Sequence, residues 1–172
     1  MKLRITIIFL FLSIYASAQN INYKLASLYV YNFTKYIDWP VKDKTDFFII
    51  GVYGETPAYD EFKKMATTKK EVGGKKIVVE RISAIKELEG CDIIYIPASQ
   101  SHRLKEIKES IRGRSILIIT EKPGMAHRGA GINLFLDEDD DNKLKFELNK
   151  GAIESTGLRV SSQLVNLGIP VK

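Results

Sequence analysis

The residues of this chain that could take part in chemistry lie in a few short segments. His102 follows the segment IPASQ, while His127 and Arg128 lie in the glycine-rich segment KPGMAHRGAG, and the chain has no other histidine. Zinc sites use three or four protein ligands, so two histidines without an obvious third ligand give little support for a metal site. We therefore predict no metal ion and no cofactor, and we interpret Arg128 as a group suited to an anion.

The motifs of the common enzyme classes are missing from the sequence. It contains no HExxH, CxxC, GxSxG or GxxxxGK[ST] pattern, the signatures of zinc proteases, thiol redox proteins, hydrolases and phosphate-binding loops. Ser99 and Glu121 are loose candidates for chemistry beside the two histidines, but no nucleophile, base and orienting group can be assembled from them. The sequence therefore predicts a protein that is not an enzyme.

A small-molecule site is an alternative that the sequence leaves open. In a doubly wound sheet, ligands bind in the crevice beyond the carboxyl ends of the strands. The residues expected beside that crevice are Tyr53, Gly54, Ser99, His102, Glu121, His127 and Arg128. If the protein binds a small molecule, we expect it to use this crevice. The competing interpretation is that His102 and His127 are exposed loop residues that bind no ligand.

Strand and helix patterns alternate through most of the chain and would position these residues. The apolar runs FFIIGVYG, KKIVVERI, DIIYIP and SILIIT predict buried strands. The segments PAYDEFKKMA, Ala84 to Leu88 and SHRLKEIKESI predict helices between them. Alternating units of this kind predict a parallel sheet with helices on both faces.

The last part of the chain departs from this alternation. Two strand-like runs in GINLFLDEDDDNKLKFELN flank a polar tip, which predicts an antiparallel hairpin. The tip DEDDDN lacks the central glycine and final glutamate of an EF-hand loop, so we predict a solvated turn rather than a calcium site. A last helix is predicted from about Lys150, with Leu158, Ser161, Leu164 and Val165 facing the sheet. The predicted fold is a three-layer α/β sandwich with a mixed, mostly parallel sheet and a C-terminal antiparallel hairpin.

The N-terminus has the pattern of a secretory signal peptide. Lys2 and Arg4 precede an apolar stretch over residues 5–16, and Ala16-Ser17-Ala18 is a small-x-small cleavage site. This stretch is shorter than the ~20 apolar residues that cross a bilayer. We predict that residues 1–18 are removed and that residues 19–172 form a single domain outside the cytoplasm.

Charge and cysteine content narrow the class of partner. The formal net charge is +5, or +3 without Lys2 and Arg4, and the lysines are scattered among acidic residues. So mild a charge argues against a nucleic-acid partner. Cys91 is the single cysteine, and it opens an apolar strand, so we predict a buried thiol.

The segment LASLYVYNFTKYIDWP, residues 25–40, predicts an amphipathic helix that ends at Trp39-Pro40. The side expected to face the core holds Leu25, Ala26, Tyr29, Val30, Phe33 and Ile37. Tyr31 and Lys35 fall on the opposite side, where a large aromatic ring has no evident packing role. We predict that Tyr31, Lys35 and Trp39 belong to a partner-binding surface, with packing of Tyr31 against a neighbouring loop as the alternative.

Several motifs together resemble those of the YfiR-like family of periplasmic regulators. They are LYVYNFTKYIDWP, IGVYG, CDIIYIPAS, SILIIT, GAGINLF and KFELNKGAIESTGLRVSSQLVNLG, in the order and spacing of the family. The resemblance covers roughly Tyr23 to Gly168. Its distinctive pairing is the aromatic helix closed by Trp-Pro with the GLRVSSQL block.

The resemblance implies a non-enzymatic inhibitor and gives the expected partners. The best-known member of the family represses a membrane-bound diguanylate cyclase, and an outer-membrane lipoprotein relieves that repression by sequestering it, which raises cyclic-di-GMP and biofilm formation. Other relatives serve sensor kinases. The best-known member also has disulfides, whereas Cys91 of this chain is alone, so redox control through an intramolecular bridge is not expected. We therefore expect a membrane-bound signalling protein as partner and leave a homodimer open.

Overall fold

The computed structural model describes residues 21–40 and 45–172. The predicted signal peptide, residues 1–18, lies outside the described residues. Within the described residues, the chain forms an eight-stranded sheet and a separate two-stranded pair, and helices pack on both faces of the large sheet. The predicted α/β fold with a mixed, mostly parallel sheet is confirmed.

Parallel strands form the centre of the large sheet. They are β2 (Phe47–Tyr53), β4 (Lys75–Ile82), β5 (Ile93–Ile96), β6 (Leu117–Thr120) and β7 (Ile132–Asp137). Their spatial order is β4-β2-β5-β6-β7, so the chain reverses its direction of winding between β2 and β5. Every residue of β5 and β6 is buried, which explains why these strands are continuous apolar runs.

Antiparallel pairs occur on both sides of this centre. On one side, β3 (Glu71–Val72) pairs with β4, and on the other β8 (Lys143–Leu148) forms the predicted hairpin with β7. The outer edge of β8 is partly covered. There β10 (Ile169–Pro170) runs parallel to its end, and the Tyr29 hydroxyl donates to the Leu144 carbonyl oxygen at 3.1 Å.

Helices cover the two faces unequally. The α-helices are α1 (Tyr23–Phe33), α2 (Ala58–Lys69), α3 (Leu104–Ser110), α4 (Lys150–Glu154) and α5 (Ser162–Leu167), and the 3-10 segments are Ile85–Gly90 and Ala98–Arg103. Of the α-helices in the described part of the chain, four pack on one face, whereas α3 and the first 3-10 segment pack on the other. Among the described residues, none of these helices combines the length and the apolar character that spanning a membrane requires.

Side-chain caps and aromatic contacts fix α1 in place. The Asn22 side chain accepts a hydrogen bond from the Leu25 backbone N–H at 3.1 Å, which caps the helix start. The rings of Tyr29, Phe33 and Phe146 meet edge to face, with centroids 4.9–6.3 Å apart. Much of the aromatic content of this helix therefore serves to attach it to β8.

The predicted end of α1 at Trp39 is wrong, because the helix ends at Phe33. After a turn, β1 (Ile37–Asp38) pairs antiparallel with β9 (Arg159–Val160). Ile37 is buried as predicted, but strand pairing with a distant segment replaces the helix that its spacing suggested. Leu25 was expected in the core and is instead 39% exposed.

The single helix predicted from Lys150 is also wrong, because α4 and α5 are separate. Gly157 adopts a φ of +84°, which ends the first helical segment, and β9 follows before α5 begins. Leu158 and Leu164 are buried as predicted. Ser161 does not lie in a helical stripe, since its side chain caps α5 by accepting from the Leu164 N–H at 3.2 Å.

The acidic segment DEDDDN forms the tip of the β7–β8 hairpin, as predicted. Lys145 Nζ lies 2.7 Å from Asp137 Oδ2 and 2.9 Å from Asp140 Oδ2, and Lys143 also pairs with Asp140. Hydrogen bonds from these lysines hold the pKa of Asp137 and of Asp140 below the usual range, and the two carboxylates raise the pKa of Lys145 to about 12. Lysines of β8 therefore pair with Asp137 and Asp140, two of the acidic residues at the tip.

Cys91 is buried, which confirms the prediction for its thiol. Its Sγ lies 3.9 Å from the Glu87 carbonyl oxygen and packs against the backbone of β2 at Gly51. A Cβ at Gly51 would come within 2.7 Å of Sγ and 2.8 Å of Ile82, so glycine makes room for the thiol.

Candidate functional site

A carboxylate at the end of β6 collects hydrogen bonds from three elements. Glu121 accepts them from the Tyr23 hydroxyl (3.2 Å), the Tyr95 hydroxyl and the Ala98 backbone N–H (2.9 Å). These four residues are called the Glu121 cluster below. A carboxylate offers about four lone-pair positions, so the cluster itself uses most of the acceptor capacity of Glu121.

Secondary structure brings the members of the Glu121 cluster together. Tyr95 lies in β5, is completely buried, and its ring packs 4.9 Å from that of Phe62 on α2. Tyr23 is the first residue of α1, and Ala98 opens the 3-10 segment that follows β5. The cluster therefore ties the start of α1 to the carboxyl ends of two central strands.

Burial controls the protonation of the two phenols. It is the largest cause that raises the pKa of Tyr95 well above its ordinary value, followed by the negative charge of Glu121. The same two causes raise the pKa of Tyr23. Both phenols therefore stay protonated at neutral pH and donate to Glu121, an arrangement that holds structure in place rather than one that accepts a proton from a substrate.

The end of β2 is filled by the 3-10 segment Ala98–Arg103. Arg103 Nη2 donates to the Tyr53 hydroxyl at 3.2 Å, and its Nη1 lies 2.8 Å from Glu106 Oε2. Gly54 has a φ of +73°, and a Cβ there would come within 3.1 Å of Gln100 Cγ. The predicted crevice is therefore narrowed at this point by Gln100 and Arg103.

Five of the predicted ligand-binding residues lie around this end of the sheet. Tyr53 ends β2 and Gly54 follows it, Glu121 follows β6, and Ser99 and His102 are exposed on the 3-10 segment after β5. The polar groups of Tyr53 and Glu121 already have partners within the chain. Use of this crevice by a small ligand stays a prediction.

His127 and Arg128 lie elsewhere. Because β6 and β7 are parallel, the segment between them must return along the sheet to reach the start of β7. Arg128 consequently lines a cavity beside α3, and its carbonyl oxygen accepts a hydrogen bond from Lys108 Nζ at 2.9 Å. His127 is exposed next to it. In residues 21–40 and 45–172, no three His, Cys, Asp or Glu side chains are grouped as metal ligands.

Tyr31, the first residue of the predicted partner surface, is half-buried. The ammonium nitrogens of Lys35 and Lys69 lie 4.9 Å and 5.4 Å from its ring centroid. Lys69 ends α2, so the ring packs at the contact between α1 and α2. Tyr31 thus has a packing role against a helix, where the alternative interpretation expected a loop.

Trp39, the last residue of that predicted surface, is also half-buried. Its indole N–H donates to the Asp92 carbonyl oxygen at 3.2 Å, and its ring meets Phe48 edge to face at 5.1 Å. These contacts attach the segment after β1 to the sheet. A role for Tyr31, Lys35 and Trp39 in binding a partner stays a prediction.

Tyr23 and Tyr95 are site residues that were not predicted from the sequence. Tyr95 carries the only hydroxyl within the buried run CDIIYIP, and a buried hydroxyl needs a partner, so this position did give a usable signal. Tyr23 gives no such signal, because 98 residues separate it from Glu121.

Two solved structures are similar to this chain at 13% sequence identity. A conserved domain protein from Vibrio cholerae O1 biovar El Tor str. N16961 gives a TM-score of 0.55, with 88% of this chain and 60% of that chain covered. The ABC domain in complex with L-Trp from Streptococcus pneumonia gives a TM-score of 0.49, with 73% and 55% covered. The chain thus spans only part of either protein, and the first similarity shows the fold alone.

Sequence comparison identifies the family more directly. No curated protein matches this chain. Residues 23–169, however, match the sequence profile of the family described as YfiR/HmsC-like. The matched range begins at Tyr23 and contains α1, the Glu121 cluster and nearly all of the large sheet. The chain therefore belongs to the YfiR/HmsC-like family.

Proposed function

We propose that this protein is a non-enzymatic regulator that binds and represses a membrane-bound signalling protein, a diguanylate cyclase or a sensor kinase, in the periplasm. The observation that carries the proposal is the family match over residues 23–169. Sequestration by an outer-membrane lipoprotein would relieve the repression. The amount of this protein that is free to bind the signalling protein would then control cyclic-di-GMP or envelope signalling.

The Glu121 cluster supports binding rather than turnover. Its carboxylate already accepts three hydrogen bonds from within the chain, two of them from phenols that stay protonated. A general base needs a lone pair directed at a substrate proton. The Glu121 carboxylate is instead used to hold α1.

The outer side of α1 offers a surface for the partner. Leu25 and Leu28 are 39% and 36% exposed, and Tyr31 continues the same row at a spacing of three residues. Lys35 lies at the end of this row, with its ammonium group over the Tyr31 ring. Interfaces favour apolar and aromatic groups beside a few charges. We propose that this row, Leu25, Leu28, Tyr31 and Lys35, contacts the signalling protein.

Crosslinking in intact cells tests the proposal. The protein carries an affinity tag in its native host, cells are crosslinked before lysis, and captured envelope proteins are identified by mass spectrometry. We expect the wild-type protein to capture a membrane-bound cyclase or kinase. Leu25→Ser with Leu28→Ser should reduce this capture about tenfold, as expected when apolar side chains at the centre of an interface are lost.

Leu167→Ser is the matched control, because Leu167 is a leucine with 66% exposure that lies outside α1. It should capture as much partner as the wild type, and circular dichroism should show that all variants are folded. Failure of the wild type to capture any signalling protein would refute the proposed function. Equal capture by the double variant and the wild type would refute only the proposed surface.

Export to the periplasm is a separate part of the proposal. The motivation is the charged, apolar and small-residue pattern of residues 1–18. N-terminal sequencing of protein from the periplasmic fraction should begin at Gln19. A chain that still begins at Met1 and sediments with membranes would contradict this location.

A further inference from the structure

A cavity of about 740 Å³ lies between α3, α4 and the segment 122–131. Its lining includes Leu117 at the start of β6 and Gly131 just before β7, so it lies at the opposite end of β6 from Glu121. This space is called the α3–α4 cavity. Small-molecule sites enclose roughly 300–1,000 Å³, and this cavity falls within that range.

The inner part of the α3–α4 cavity is apolar. Leu104 and Ile111 contribute from α3 and its end, Ile116 and Ile118 from β6 and the residue before it, and Ile153 from α4. All five side chains are at least 95% buried in the fold. Because these side chains are already shielded from water, hydrophobic stabilisation would come mainly from removal of a ligand's own apolar body from water, and an inorganic ion has no such body.

The outer part of the cavity is positively charged. Lys105, Lys108 and Arg112 line it from α3 and the turn after it, and Arg128 lines it from the facing segment. Among the described residues of the lining, Glu109 is the only carboxylate. Within residues 21–40 and 45–172, none of these four cations forms an ion pair. Other arginines of the chain do pair, for example Arg114 with Glu89 at 2.6 Å.

Glycines shape the two sides of the cavity. Gly129 has a φ of +94°, and a Cβ there would overlap the Lys108 ammonium, so glycine lets Lys108 reach the Arg128 carbonyl oxygen. A Cβ at Gly131 would come within 2.9 Å of Ile153 and 3.0 Å of Leu117. A larger residue at either position would therefore alter the cavity at its charged or its apolar side.

We propose that the α3–α4 cavity binds an amphiphilic organic anion, with a carboxylate or phosphate head held by Arg112 and Arg128 and an apolar body on the isoleucine-lined side. Arginine matches the geometry of both head groups through paired N–H donors. Among the described residues these cations have no ion pair, so the head of such a ligand would supply their anionic partner while its apolar body lies against the isoleucines. The inference does not depend on the proposed role in repression.

Isothermal titration calorimetry with four probes tests this inference. Octanoate and octyl phosphate carry the two head groups on the same chain, 1-octanol supplies the chain without charge, and inorganic phosphate supplies a head without a chain. We expect saturable binding of octanoate or octyl phosphate with one site per protein, and the stronger of the two identifies the head group. Octanol and phosphate should bind at least about tenfold more weakly, because each lacks one half of the interaction.

Charge reversal locates the site. Arg112→Glu with Arg128→Glu should weaken binding of the preferred probe about tenfold or more, the loss expected for hydrogen bonds to a charged group. Arg159→Glu is the matched control, since Arg159 is an exposed arginine outside the cavity, and it should bind within about twofold of the wild type. Circular dichroism establishes that each variant is folded.

Three results would overturn the inference. They are absence of saturable binding for both charged probes, unchanged affinity in the charge-reversed protein, and binding of inorganic phosphate as tight as that of octyl phosphate. The last result would mean that the apolar side of the cavity takes no part in binding.

Discussion

The two ends of β6 carry polar side chains in opposite arrangements. At the carboxyl end, Glu121 accepts hydrogen bonds from Tyr23, Tyr95 and Ala98. At the amino end, the cations of the α3–α4 cavity, Arg112 and Arg128 among them, stand beside an apolar surface without an ion pair among the described residues. Polar groups that satisfy one another stabilise a fold, whereas groups left without a partner are available to a ligand. One end of β6 thus stabilises the fold, and the other end is available to bind a ligand.

The largest expected effect comes from removing the acceptor at the carboxyl end. Glu121→Ala leaves the buried Tyr95 hydroxyl without a partner, and an unsatisfied buried donor costs about 1–3 kcal/mol. Urea denaturation followed by circular dichroism measures the loss. In the double variant Glu121→Ala/Tyr95→Phe the stranded donor is gone, so the two losses should not add. Additive losses would show that Tyr95 and Glu121 do not act as a pair.

Alkaline pH provides a second way to separate the two ends. The pKa of Tyr95 in the folded protein is raised by burial and then by Glu121. The protonated hydroxyl therefore makes its full contribution to the free energy of unfolding below the unfolded pKa of about 10, and this contribution is lost as pH rises through the higher folded pKa. The difference in unfolding free energy between wild type and Tyr95→Phe should therefore shrink as pH rises above about 10. Thermal unfolding in matched buffers measures this. A constant difference up to pH 11 or so would contradict the burial of a protonated phenol.

Charge reversal in the cavity should hardly affect stability. Arg112→Glu changes an exposed cation that has no ion pair among the described residues, so the free energy of unfolding should change by about 0.5 kcal/mol or less. Urea denaturation gives this value beside that of Glu121→Ala. A loss as large as that of Glu121→Ala would mean that the cavity cations hold the fold, and the contrast between the ends of β6 would fail.

The smallest expected effect concerns the acidic hairpin tip. Lysines already engage Asp137 and Asp140, so millimolar calcium should leave the melting temperature unchanged. Differential scanning fluorimetry with and without calcium measures this. A rise in melting temperature with calcium but not with magnesium would show that the carboxylates of the tip bind calcium in spite of their lysine partners.

Strand positions were predictable because buried parallel strands are continuous apolar runs, as in FFIIGVYG and SILIIT. The end of α1 was not predictable, because Ile37 pairs with Val160, which is far away in the sequence, and residue spacing within one segment carries no information about such a partner. The Glu121 position followed from the rule for strand ends, yet its partner Tyr23 comes from another part of the chain. The α3–α4 cavity depends on how helices pack around the segment before β7, which no single motif encodes.

The cover on the outer edge of β8 has a consequence for the order of folding. There β10 pairs with the end of β8, and the Tyr29 hydroxyl reaches the Leu144 carbonyl oxygen across 115 residues. Contacts of such long range form late, because the entropy of loop closure must first be overcome. A chain in which the hairpin has formed before α1 docks would therefore expose part of the β8 edge to other chains. Refolding should consequently become less efficient as protein concentration rises, and more so for Tyr29→Phe.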